Sequence, residues 1–88
     1  MSGMVYQVEV KGHRPGTKEV NVHACQVRQA QQNPERFRLA IVLVPNEAGE
    51  VPSVSYFVRP FDGYDLHFAQ TYVPLSVAGL APHALEPQ

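Results

Sequence analysis

The chain carries one cysteine, Cys25, among its 88 residues. A single thiol makes no internal disulfide, which excludes a disulfide-stapled secreted domain. No apolar stretch approaches the ~20 residues that a membrane-spanning helix needs. The opening Met1-Ser2-Gly3-Met4 lacks the basic n-region and the long apolar run of a signal peptide. A reducing cytoplasm is therefore the expected compartment. Charge is scarce too: charged residues are 17% of the chain and the formal net charge is -1. Bulk electrostatics thus give no reason to bind nucleic acid or an anionic membrane. Phosphate binding would have to rest on a metal ion or a local basic cluster. The sequence shows no internal repeat and no low-complexity segment.

What is present is a globular composition, with 44% hydrophobic residues. The length fits one domain with a modest core, marginal without a partner or a larger unit. Eight prolines and six glycines set short elements and many turns. The expected organisation is a single domain over residues 1–88, ordered from about 4 to 77, with 78–88 as a frayed tail.

The run Met4 to Lys11 reads as a strand, with Tyr6, Val8 and Val10 on one face and Gln7, Glu9 and Lys11 on the other. Gly12 to Thr17 is turn chemistry, and Lys18-Glu19-Val20 reads as a short extended piece. Asn21 is the expected N-cap of a helix over 22–32, in which Ala24, Val27 and Ala30 form a weakly apolar face. Asn33-Pro34 ends that helix, because the residue before proline avoids the α region. Phe37 to Val44 is nearly continuous and apolar, as expected of a central strand covered on both faces. Ser53 to Val58 alternates and is expected to pair antiparallel with it through the 45–52 connection. Tyr72-Val73-Pro74-Leu75 reads as an edge strand, since proline excludes a central one. The fold class is α+β (mixed α/β), with a small mixed sheet and one principal helix.

Glu9 and Lys11 share one strand face. A carboxylate supplies an oxygen ligand for a hard cation, and an ammonium beside it offsets charge developing on a phosphate. Glu-x-Lys by itself fits a solvated cross-strand pair equally well. His13, His23, His67 and His83 do not share an element at zinc-ligand spacing, so no zinc site is expected. Cys25 falls inside the helix, where a thiol usually serves as small packing filler rather than a nucleophile. Arg14, Lys18, Arg28, Arg36 and Arg38 make a loose basic set that fits a solvated face or a phosphate-facing groove. Tyr56, Phe57, Phe61, Tyr64, Phe68 and Tyr72 are expected in the core or on a face that packs against a partner.

The ordered pattern resembles the second half of the restriction-endonuclease-like superfamily, the PD-(D/E)xK nucleases. More narrowly, it is similar to the domain at the C-terminus of the plant protein NO VEIN. The resemblance rests on Val8-Glu9-Val10-Lys11-Gly12, on Asn21 leading into Gln26 and Ala30, and on Phe37-Arg38-Leu39-Ala40-Ile41-Val42; it covers about residues 5–60. It implies a restriction-endonuclease-like half-core and a nuclease-like domain hydrolysing phosphodiesters in nucleic acid, with DNA as the expected partner. Glu9 would bind magnesium or manganese with help from the backbone carbonyl of Val10. Lys11 and Gln26 would complete the catalytic set.

The superfamily also places an aspartate on the strand before Glu-x-Lys, and Met1 to Gln7 contain no acid. Three arrangements stay open. The chain is part of a longer unit, or a second chain or a second copy completes the site, or the domain is a catalytically inactive interaction or nucleic-acid-docking module. In the last case a helicase- or ATPase-type partner, or a homodimer, is implied. Asp62 and Asp65 could in principle replace that aspartate, but a Phe-Asp-Gly-Tyr turn explains Asp62 without chemistry.

Overall fold

The computed structural model describes residues 5–85. Met4, assigned to the first strand, and residues 86–88 of the expected tail lie outside the described residues. The elements run β1 (Gln7–His13), β2 (Glu19–His23), α1 (Ala24–Gln32), β3 (Phe37–Leu43), β4 (Ser53–Val58), β5 (Tyr72–Ser76) and a 3-10 helix (Ala78–His83). The architecture is a small mixed α+β fold: a three-stranded sheet in the order β1-β3-β4, a two-stranded sheet of β2 and β5, and one main helix.

β3 is central because its sequence suits burial. Phe37, Leu39 and Ile41 point to one face and are buried, and they face α1 and the smaller sheet. β1 pairs with β3 in parallel, with Glu9 opposite Leu39 and Lys11 opposite Ile41. β4 pairs antiparallel on the other side, with Ala40 opposite Tyr56. A parallel pair needs a crossover, and here β2 and α1 supply it. The core joins Val27 and Ala30 of α1 to Phe37, Leu39 and Ile41 of β3, with Val22, Val73 and Leu80 closing it.

Three expectations are corrected. Asn21 lies in β2, opposite Pro74. His23 is the N-cap instead: its ring accepts from the Cys25 amide, and the Gln26 side chain reaches back to the His23 amide. That reciprocal pattern is a capping box, which lets the chain pass from strand to helix without glycine or proline. Residues 78–83 are not a frayed tail: they form the 3-10 helix, and Leu80 is 1% exposed. The Leu85 amide then donates to the Tyr56 carbonyl at 2.8 Å, tying the segment to the edge of β4. Cys25 is exposed rather than packed inside. The outward side chains of β3 are buried at Ala40 and half-buried at Arg38 and Val42, while Val8, Val10, Val54 and Tyr56 on its flanking strands remain exposed. The aromatics divide, with Phe61 buried and Tyr56, Tyr64, Phe68 and Tyr72 exposed.

Candidate functional site at the β1 edge

Register puts Gln7, Glu9 and Lys11 on the same sheet face as Phe37, Leu39 and Ile41. The polar face of β1 is therefore the one that looks towards the helix. α1 crosses it antiparallel: Gln26, near the helix start, meets Glu9, while Gln29, one turn later, meets Gln7. Three helical residues rise about 4.5 Å and two strand residues about 6.6 Å, close enough for long amide side chains to bridge the difference.

The geometry at Glu9 is specific. Gln26 Nε2 donates to Glu9 Oε2 at 2.6 Å. Lys11 Nζ stands 3.6 Å from Glu9 Oε1, and the two side chains are 26% and 19% exposed. The Gln26 amide is oriented by its other end, because Oε1 accepts from the His23 backbone N–H at 3.3 Å. The capping box therefore fixes which way the amide points. A glutamate at this position would cap the helix as well, but it would set a second carboxylate against Glu9. Glu9, Lys11 and Gln26 are thus brought together, each from the position that the sequence pattern names.

Val10 presents its side chain to the opposite, exposed face. Its backbone carbonyl has a different outlook. In a parallel ladder the bonded residues alternate along a strand. Here Gln7 donates to the Arg36 carbonyl and His13 accepts from Val44, so the odd-numbered residues bond to β3. The backbone groups of Val8, Val10 and Gly12 consequently face the open edge of β1. A cation held by Glu9 and the Val10 carbonyl would sit at that edge.

The donor set is small. No group of three or more His, Cys, Asp or Glu side chains among the described residues could hold a metal ion. Asp62 pairs with Arg59 at 3.7 Å in the turn after β4. That turn is bound to Gln31, at the far end of α1 from Gln26, through the Phe61 and Tyr64 carbonyls. Asp62 does not approach Glu9, and Asp65 lies exposed in the same region. One carboxylate with a carbonyl fits magnesium as part of a shell that a substrate phosphate or a further acid completes, since magnesium keeps waters and takes few protein ligands.

Of the basic set, Arg14 bonds the Pro45 carbonyl at 3.2 Å. Arg38 lies on the opposite sheet face, its guanidinium carbon 4.5 Å from the Tyr6 ring centroid. These residues do not converge into one groove around Glu9. His23 Nδ1 also lies 3.1 Å from Cys25 Sγ, a contact that follows from His23 being the cap.

A family model described as Protein NO VEIN, C-terminal, matches residues 2–57. The match takes in β1, α1 and β3, with all of Glu9, Lys11 and Gln26, and stops near the end of β4. No curated protein and no solved structure matches the chain. No helix among the described residues is long and apolar enough to cross a membrane.

Proposed function

The chain belongs to the Protein NO VEIN, C-terminal, family, and from that premise we propose that it is a nuclease-like domain that contributes one side of a metal-dependent phosphodiesterase site. The substrate class is nucleic acid, with DNA as the first candidate, and the wider relationship is to the restriction-endonuclease-like superfamily. The observation that carries the reading is the convergence of Gln26 and Lys11 on the two oxygens of Glu9.

Glu9 and the Val10 carbonyl would hold magnesium or manganese at the open edge of β1. Such an ion, when bound, polarises a phosphoryl oxygen and lowers the pKa of a bound water. Lys11 stands beside the carboxylate and offsets negative charge gathering on the phosphate. Gln26 holds the carboxylate in place and presents its amide N–H to the same space. The missing acid comes from outside the described residues, by way of a longer chain, a second copy or another protein. The working compartment is the cytoplasm.

A second reading is favoured by one specific feature. Both Glu9 oxygens already have partners, and no other acid stands beside them among the described residues. That arrangement suits a catalytically inactive module that docks nucleic acid or a helicase- or ATPase-type partner.

Titration of magnesium and manganese against the amide NMR signals of Glu9 to Gly12 decides between the two. Saturable shifts confined to those amides and lost in Glu9→Ala support the metal site. Flat signals at millimolar metal, with and without a short oligonucleotide, leave the docking module.

A further inference from the structure

The three-stranded sheet has one edge closed and one open among the described residues. Beyond β4, Ala84 bridges to Phe57 and the Leu85 amide donates to the Tyr56 carbonyl. β1 forms the other edge. Its odd-numbered residues spend their backbone groups on β3, so the N–H and C=O of Val8, Val10 and Gly12 point outward. An unpaired edge of this kind is a template for another strand. α1 does not sit across it: Val27 and Ala30 pack in the core with β3, and the helix reaches β1 through the side chains of Gln26 and Gln29.

We propose that the strand which pairs there is β1 of a second copy of the chain, antiparallel about a two-fold axis at Val10. β1 runs Gln7–His13, and Val10 is its middle residue. With Val10 opposite Val10 of the second copy, Val8 meets Gly12 and Gly12 meets Val8. An antiparallel ladder bonds every second residue, in pairs that exchange both N–H···O bonds. The outward residues of β1 fall on those bonded positions. About six backbone hydrogen bonds then form, and none of the three residues is left without a partner.

Charge selects the same register. Between the bonded pairs, Glu9 comes to lie opposite Lys11 of the second copy, and Lys11 opposite its Glu9, on the face towards α1. These are the closely spaced, non-bonded positions of an antiparallel ladder, with Cα atoms about 4.5 Å apart. Moving the axis one residue either way keeps Val8, Val10 and Gly12 on bonded positions. It then sets Glu9 on Glu9 or Lys11 on Lys11, and like charges directly opposite are destabilising. Inward-pointing charges guard an edge against unrelated strands, and here they become self-complementary in one register. The paired edge spends the Val10 carbonyl, so pairing competes with a cation held there. The inference does not rest on the metal reading, and a test in chelator keeps the two apart.

Sedimentation equilibrium and amide hydrogen exchange of the purified chain in chelator, from micromolar to millimolar concentration, test it. The expected mass rises with concentration towards twice 9.8 kDa. The amides of Val8, Val10 and Gly12 should gain protection in step with that rise. Glu9→Lys and Lys11→Glu should each weaken self-association by about tenfold or more. An equimolar mixture of the two variants should associate again, because every cross-strand pair is then opposite in charge. The exchange measurement needs no variant, so it decides the matter even where a substitution unfolds the chain. A mass that stays at 9.8 kDa overturns the proposal. So does a dimer that leaves the Val8, Val10 and Gly12 amides unprotected, and so do folded charge variants that associate like the parent or stay monomeric when mixed.

Discussion

Gln26 binds Glu9 with one end of its amide and closes its own helix with the other. Nε2 donates to Glu9 Oε2 at 2.6 Å and Oε1 accepts from the His23 N–H at 3.3 Å. The same side chain therefore starts α1 and fixes the carboxylate. Helix initiation and site geometry share one residue, and substitutions there should separate the two roles.

Gln26→Glu keeps a helix-capping acceptor but turns an attraction at Glu9 into a repulsion. Gln26→Ala removes both bonds. We expect Gln26→Ala to lower unfolding stability by about 1–2 kcal/mol. Gln26→Glu should also destabilise at neutral pH, and Glu9→Gln in the same chain should restore most of the loss. Urea unfolding of the two single variants and the pair measures this.

Lys11 stands 3.6 Å from a carboxylate that is only partly covered. Such pairs contribute less than about 1 kcal/mol. Lys11→Met should therefore barely change the urea midpoint. If the chain acts on phosphodiesters once its missing acid is supplied, the same variant should lose cleavage by a factor of about 100 or more. A folded, inactive Lys11→Met would place the residue in the chemistry rather than in the fold.

Leu80, in the 3-10 helix, packs against the core cluster and is 1% exposed. Leu80→Ala should cost about 2–5 kcal/mol, the range for emptying a buried leucine site. In so small a domain that is a large part of the total stability. Thermal melting of Leu80→Ala, beside the exposed control Leu85→Ala, reads the difference directly.

Gly63 has φ +77° and open space where a Cβ would sit. A substitution there meets no neighbour, so any cost comes from the backbone alone. Gly63→Ala should destabilise by about 1 kcal/mol. Gly12, whose backbone is extended and whose nearest neighbour would stand 3.8 Å from a Cβ, should accept alanine with little change. Chemical denaturation of the two variants compares them.

Much of the fold was legible because it depends on local pattern. Phe37-Arg38-Leu39-Ala40-Ile41-Val42 announces a central strand by its apolar run, and Pro74 announces an edge by its missing N–H. Asparagine is the commoner cap and so draws the expectation to Asn21, whereas the cap at His23 depends on a partner three residues on and on the Ala24 amide donating to the Thr71 carbonyl. The 3-10 helix is not legible in the sequence because glycine and proline in Ala78–His83 look like loop chemistry. Its order comes from Leu80 entering a core built by residues distant in the chain.

The sequence by itself determined the alternation of β1, hence that Glu9 and Lys11 share a face, because side chains on a strand repeat every two residues. It also determined where α1 ends and the apolar character of β3. Only the tertiary structure decided which way β1 faces. The parallel register with β3 turns Glu9 and Lys11 towards α1 and leaves Val8 and Val10 outside. A period of two cannot tell the two faces apart, and the choice is made by what packs across the sheet. Here that is Gln26, which meets Glu9 from 17 residues away in the chain.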